Sequence, residues 1–161
     1  MTPTKDFTFI LGTLITCVII LAIQFGLIFL GIKYILKINI FSMPLELFTI
    51  LLLSFTSFIF IGMFIGYLFK TEETIIFASM IIATILMVFS NTIIPIENIS
   101  SNLQRIASLN PVIILEQAMK KIILFNLTFK NLYKEMIILG STTVIFMGLT
   151  YLFRRLTRRN L

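Results

Sequence analysis

The chain has 161 residues, 58% of them hydrophobic and only 12% charged, with a mean hydropathy of +1.07. A soluble domain carries about 45–50% apolar and about 25% charged residues; here the few charges are also clumped between long uncharged tracts, which specifies an integral membrane protein and excludes a soluble enzyme domain or a disordered tail. The net charge of +6 does not point to nucleic acid, because its densest cluster, Arg154, Arg155, Arg158 and Arg159, directly follows an apolar tract and reads as a membrane-flanking anchor.

Crossing about 30 Å of hydrocarbon takes about 20 apolar residues in a helix. Four segments meet or approach that length. Residues 7–32 carry no charge and suffice to cross with tilt. Residues 47–69 follow, introduced by Pro44 and Glu46, with Pro44 placed at the first turn where a missing N–H costs nothing. Residues 74–96 form a third uncharged run, separated from the second only by Lys70, Thr71, Glu72 and Glu73, so the two must be antiparallel neighbours. Residues 136–153 are the shortest run and end at the arginine cluster. Tyr34, Tyr67, Tyr133 and Tyr151 each lie near a Lys or Arg at the edge of a tract, the place of an interfacial aromatic belt.

Residues 97–135 are too polar to span and too apolar for a free loop. They suggest two short helices, 99–109 and 112–125, divided by Asn110-Pro111. In the second, Glu116, Gln117, Lys120 and Lys121 oppose Val112, Leu115, Met119, Ile122 and Ile123, and Glu116–Lys120 is a favourable i,i+4 pair. Such a segment either lies in the interface plane or dips part way into the bilayer and returns. The expected fold is therefore an all-α membrane protein: one transmembrane domain over 1–161, with four transmembrane helices plus a short extracellular re-entrant or amphipathic helical hairpin over about 99–125.

Four spans place both termini on one side. With the termini inside, Lys5, Lys70 and the four arginines face the cytoplasm, against Lys33, Lys37, Arg105, Lys120, Lys121, Lys130 and Lys134 outside. The raw count decides nothing; the dense cluster beside a span end favours cytoplasmic termini.

The chain has no His and a single Cys, Cys17, which removes a His/Cys zinc site, a His base and an internal disulfide. Cys17 sits in an apolar tract and reads as a small packed hydrophobe. No G-x-x-x-x-G-K-[ST] loop occurs, so ATP hydrolysis by that route lies outside this chain. No Asp, Glu, Lys or Arg falls in the middle of a span, whereas ion-coupled carriers need an intramembrane ionisable group. A transporter of this composition takes its energy from elsewhere. The remaining polar groups, Gln24, Ser54, Thr56, Ser57, Ser90 and Asn91, suit interhelical hydrogen bonds first and cargo contact second. Gly62 and Gly66 form a GxxxG that, with Gly140 and Gly148, suggests close packing within the protomer.

Several passages in order carry a family resemblance. The run Phe89-Ser90-Asn91-Thr92-Ile93-Ile94-Pro95-Ile96-Glu97 resembles the outer end of the fifth span of ABC type-2 transporter permeases, with Asn91 where Gly is usual. Ile106-Ala107-Ser108-Leu109-Asn110-Pro111, then Glu116 with Lys120 and Lys121, is similar to that family's extracellular segment. Thr2-Pro3-Thr4, Ile10-Leu11-Gly12 and Gln24 resemble its passage into the third span. Gly66-Tyr67-Leu68-Phe69-Lys70-Thr71-Glu72-Glu73 resembles its short cytoplasmic turn.

The resemblance implies the C-terminal portion of a six-span permease of an ATP-driven exporter in the plasma membrane. It implies a second permease copy as dimer partner and a separate ABC ATP-binding subunit that carries the ATP. It further implies an outer gate at Ser90, Asn91, Pro95, Glu97, Asn110, Pro111 and Glu116, an ATPase-facing surface at Thr2, Pro3, Thr4, Lys70, Thr71, Glu72 and Glu73, and no catalytic residue, cofactor or metal in this chain. The alternative is a non-transporting four-span assembly or regulatory protein, or an inactive truncated permease.

Overall fold

The computed structural model describes residues 6–35, 37, 42–90 and 100–159. Among these the secondary structure is entirely helical: α1 (Asp6–Ile35), α2 (Pro44–Leu68), α3 (Glu72–Val88), α4 (Ser101–Ala107), α5 (Pro111–Phe125) and α6 (Tyr133–Arg159), with a 3-10 turn at Phe129–Asn131 between α5 and α6. Three helices are long and apolar enough to cross a membrane, over Thr8–Ile35, Pro44–Leu68 and Tyr133–Arg155. The expected third span, 74–96, is described only as far as Ser90. α3 stops at Val88, and at about 1.5 Å per residue its 17 residues reach about 26 Å, short of a full hydrocarbon thickness. Its end has a local cause: the Ser90 hydroxyl donates to the Met87 carbonyl at 2.6 Å, and Phe89 leaves helical geometry at ψ 15°.

α2 is the central helix. Of its most apolar stretch 44% is buried, against 6% for α1 and 11% for α6. Pro44 occupies the first turn, as its missing N–H favours. α6 packs along α2 in parallel sense: Ser57 meets Leu139 and Thr143, Phe60 meets Thr150, and Phe64 meets Phe146 and Phe153. α1 lies against another side of α2 through Phe25, whose ring centroid is 4.8 Å from that of Phe55, and through Phe29. α5 covers the N-terminal half of α2, and Ala118, Ile122 and Leu132 join Phe29, Leu47, Ile50, Leu51, Phe55 and Ile59 in one apolar core. Cys17 packs at the margin of this core, as a small hydrophobe would.

The hydroxyls in the spans are spent within the helices. Thr13, Thr16, Thr49, Ser54, Thr56, Thr84, Ser141 and Thr150 each donate to the carbonyl four residues back, at 2.6–3.0 Å. With no water at this depth, back-bonding satisfies the hydroxyl without a second helix. Gly62, Gly66, Gly140 and Gly148 do not make the close helix approach their spacing suggests, for a Cβ at any of them would meet nothing within 4 Å. The tightest polar contact between α2 and α6 runs through hydroxyls instead. Ser57 Oγ lies 2.6 Å from Thr143 Oγ1 and 3.0 Å from the Leu139 carbonyl oxygen, and Thr150 Oγ1 reaches the Phe60 carbonyl at 3.3 Å.

Candidate functional site

With α1 antiparallel to α2 and α6 parallel to it, the bundle has two ends. One gathers the start of α1, the end of α2, the start of α3 and the end of α6. There the Arg154 guanidinium sits 4.6 Å from the Phe9 ring centroid and 5.8 Å from that of Tyr67, so one cation ties three helices. The expected turn Lys70, Thr71, Glu72 and Glu73 stands exposed at this same end. Thr71 caps α3 by accepting from the Thr74 N–H at 3.4 Å, and the two threonine hydroxyls also hydrogen-bond. Glu72 and Glu73 occupy the first turn of α3, where the helix dipole favours negative charge. Thr2, Pro3 and Thr4 lie outside the described residues.

The other feature is a half-open apolar cavity of about 510 Å³ bordered by α2, α3, α5 and α6 together with the end of α4. Ile61, Ile85, Phe89, Thr142 and Phe146 line it with Asn110 and Pro111. Thr142 and Phe146 straddle the middle of the apolar stretch of α6, so the start of α5 reaches the level of that helix's centre.

Asn110 is the organising residue here. It is 7% exposed, and its carboxamide works in two directions. Oδ1 accepts from the Val112 N–H at 3.0 Å, capping α5, while Pro111 takes the first helical position. Nδ2 donates to the Leu86 carbonyl at 2.8 Å and, at 3.4 Å, to that of Phe89. The last turn of α3 has carbonyls with no intrahelical partner, and Asn110 supplies one from α5 while Ser90 supplies another locally.

Of the expected gate residues, Ser90, Asn110 and Pro111 thus meet at the junction of α3 and α5. Asn91, Pro95 and Glu97 lie outside the described residues. Glu116 is not part of the cavity wall. It pairs with Lys120 at 2.6 Å, the expected i,i+4 contact, and its Oε2 is buried without a partner. Gln24 is exposed near the middle of α1 and makes no side-chain hydrogen bond to the described residues.

The face that α5 presents differs from the expected one. Ile113, Ile114, Ala118 and Ile122 are fully or almost fully buried, with Leu115, Met119 and Ile123 on the flank. The small Ala118 lets the helix approach α2, and the bulkier side chains move to the sides. Rotation of the face carries Lys121 inward. Its ammonium donates to Glu135 Oε1 at 2.8 Å and to the Asn131 carbonyl at 3.4 Å. The Glu135 side chain is 8% exposed, that of Lys121 35%, and Glu135 Oε2 has no partner.

This pair and the Arg154 contacts are absent from the sequence reading. A signal for the pair existed: Lys121 and Glu135 flank the helix stop at Asn126, which takes the left-handed conformation at φ 48°. The Asn126 N–H donates to Ile122 O and the Leu127 N–H to Lys121 O, a left-handed cap that turns the chain at the end of α5.

With three helices among the described residues long and apolar enough to cross a membrane, packed on one another with α2 and α6 joined through buried hydroxyls, this is a multi-pass helical membrane protein. Over residues 1–152 the chain matches the family described as ABC-2 family transporter protein. It belongs to that family, and it is a membrane permease of an ABC transporter. No curated protein and no solved structure matches the chain.

Proposed function

We propose that this permease forms the path of an ATP-driven exporter, working as a dimer with separate ATP-binding subunits in the plasma membrane. In this reading the Arg154 end is cytoplasmic, α3 belongs to the third span, and α4–α5 is a hairpin that enters the bilayer from outside. The single observation that carries the reading is the tether of Asn110 to the Leu86 carbonyl, 2.8 Å long, beside Thr142 and Phe146 at mid-α6. A surface helix lying in the interface plane has no reason to start at that depth. Irregular backbone is tolerated there only where protein covers it or a cavity adjoins it, and both conditions hold at Asn110-Pro111.

The apolar cavity then lies under an outer gate made from Ser90, Asn110 and Pro111. The exposed turn Lys70–Glu73 is available to an ATP-binding subunit at the opposite end, where Arg154 links α1, α2 and α6 so that displacement of the turn is passed to all three. Energy enters at one end and the gate opens at the other. Co-expression with the ATP-binding subunit encoded beside it tests the driver: the detergent-solubilised permease recovers that subunit, and Glu72→Lys with Glu73→Lys weakens recovery. Purification of the permease alone under every condition would remove the driver and with it the exporter reading.

A further inference from the structure

Two polar ties hold α5, one near each end, and they differ in kind. At the N-terminal end, Asn110 makes neutral amide–carbonyl bonds of 2.8 and 3.4 Å to the frayed last turn of α3. Toward the C-terminal end, Lys121 makes a charge-assisted bond of 2.8 Å to a carboxylate that is itself buried. Releasing the first leaves carbonyls at a helix end. Releasing the second strands a carboxylate away from water, and its other oxygen already has no partner. The backbone adds to the contrast, since Lys121 O also accepts from Leu127 N–H in the cap that closes α5. Apolar contacts along α5 do not reverse the order, because at membrane depth lipid replaces an apolar neighbour at little cost.

We propose that Lys121 and Glu135 are the positioning pair that fixes the C-terminal end of α5 on α6, and that Asn110 is a releasable latch, so that α5 swings from its N-terminal end. The swing parts Asn110 and Pro111 from Phe89 and opens the cavity while Ile122 stays seated on α2. This rests on the gate reading above for its purpose, but the motion itself needs neither cargo nor ATPase.

The test uses the full chain in lipid nanodiscs with Cys17→Ser as background and single reporter cysteines labelled by a membrane-permeant maleimide. Ile114→Cys reports the N-terminal half of α5, Ile122→Cys the C-terminal half, and Leu139→Cys the α2–α6 contact as a control for folding. Asn110→Ser keeps a capping oxygen and loses the Nδ2 donor; it raises labelling of Ile114→Cys about tenfold, the scale of one or two lost hydrogen bonds, and leaves Ile122→Cys slow. Glu135→Gln and Lys121→Met each raise labelling of Ile122→Cys, and the charge-reversed pair Lys121→Glu with Glu135→Lys slows it again. Equal opening of both reporters by Asn110→Ser, or no change in Ile122→Cys when the ion pair is removed, overturns the proposal. Should a variant expose Leu139→Cys, the comparison is repeated with Asn110→Thr or Glu135→Asp under the same criteria. If the reporters behave as stated but Asn110→Ser leaves export unchanged, the gate reading fails and the swing stands.

Discussion

At the scale of single residues, the informative side chains are those with more than one job. Ser57 donates to one acceptor at most, yet its oxygen touches the Leu53 and Leu139 carbonyls and the Thr142 and Thr143 hydroxyls. It is therefore a shared junction of α2 and α6. Ser57→Ala should destabilise the protein by about 0.6–1.7 kcal/mol, the range of side-chain hydrogen bonds between membrane helices, read by unfolding in mixed micelles. Combined with Thr143→Val the losses should be less than additive, because both changes remove one contact. Full additivity would mean that the 2.6 Å contact contributes nothing. Asn110 was legible as a helix breaker and cap from its place before Pro111; its bonds to Leu86 and Phe89 were not, because 24 and 21 residues separate the partners and no local spacing rule reaches that far.

Among elements, α5 and α2 differ in how far the primary pattern could describe them. α2 is apolar on every side, so its helical nature and its length followed from composition, while its place at the centre did not. For α5, the periodicity predicted an amphipathic helix with the correct stop but a face rotated from the observed one. The rotation follows from Ala118, whose small side chain wins the site nearest α2 although a hydropathy pattern ranks Leu115 and Met119 above it. Ala118→Leu should overpack that contact and cost about 1–3 kcal/mol. The glycines give the opposite prediction. Gly62→Ala meets open space and gains helix propensity, so within the protomer it should be neutral or stabilising by up to about 1 kcal/mol; a loss of monomer stability of that size would place a helix against Gly62 that the fold does not. α3 ends at Val88, before the uncharged run does: Ser90 and Asn110 satisfy carbonyls of its last turn, and residues 91–96 of the expected span lie outside the described residues.

For the whole molecule, the parallel helices α2 and α6 put the Lys70 turn, after α2, and the Thr128 turn, before α6, at opposite ends. Cysteines introduced at Lys70 and Thr128 in the Cys17→Ser background, both exposed positions, should react with an impermeant maleimide from opposite sides of the membrane. Reaction of Thr128→Cys from the cytoplasmic side would reverse the proposed orientation. Composition and the placing of charge alone determined that this is a helical membrane protein with no mid-span charge, because burying backbone in lipid demands long apolar helices and the cost of intramembrane charge is local to each helix; the permease reading came from the order of motifs that resemble the family. Only the tertiary structure decided which helix is central, how α5 turns its face, and that Lys121 meets Glu135 while Asn110 holds α3. Those outcomes depend on side-chain volume and on where the chain returns after each turn, and the hydropathy of a segment carries neither.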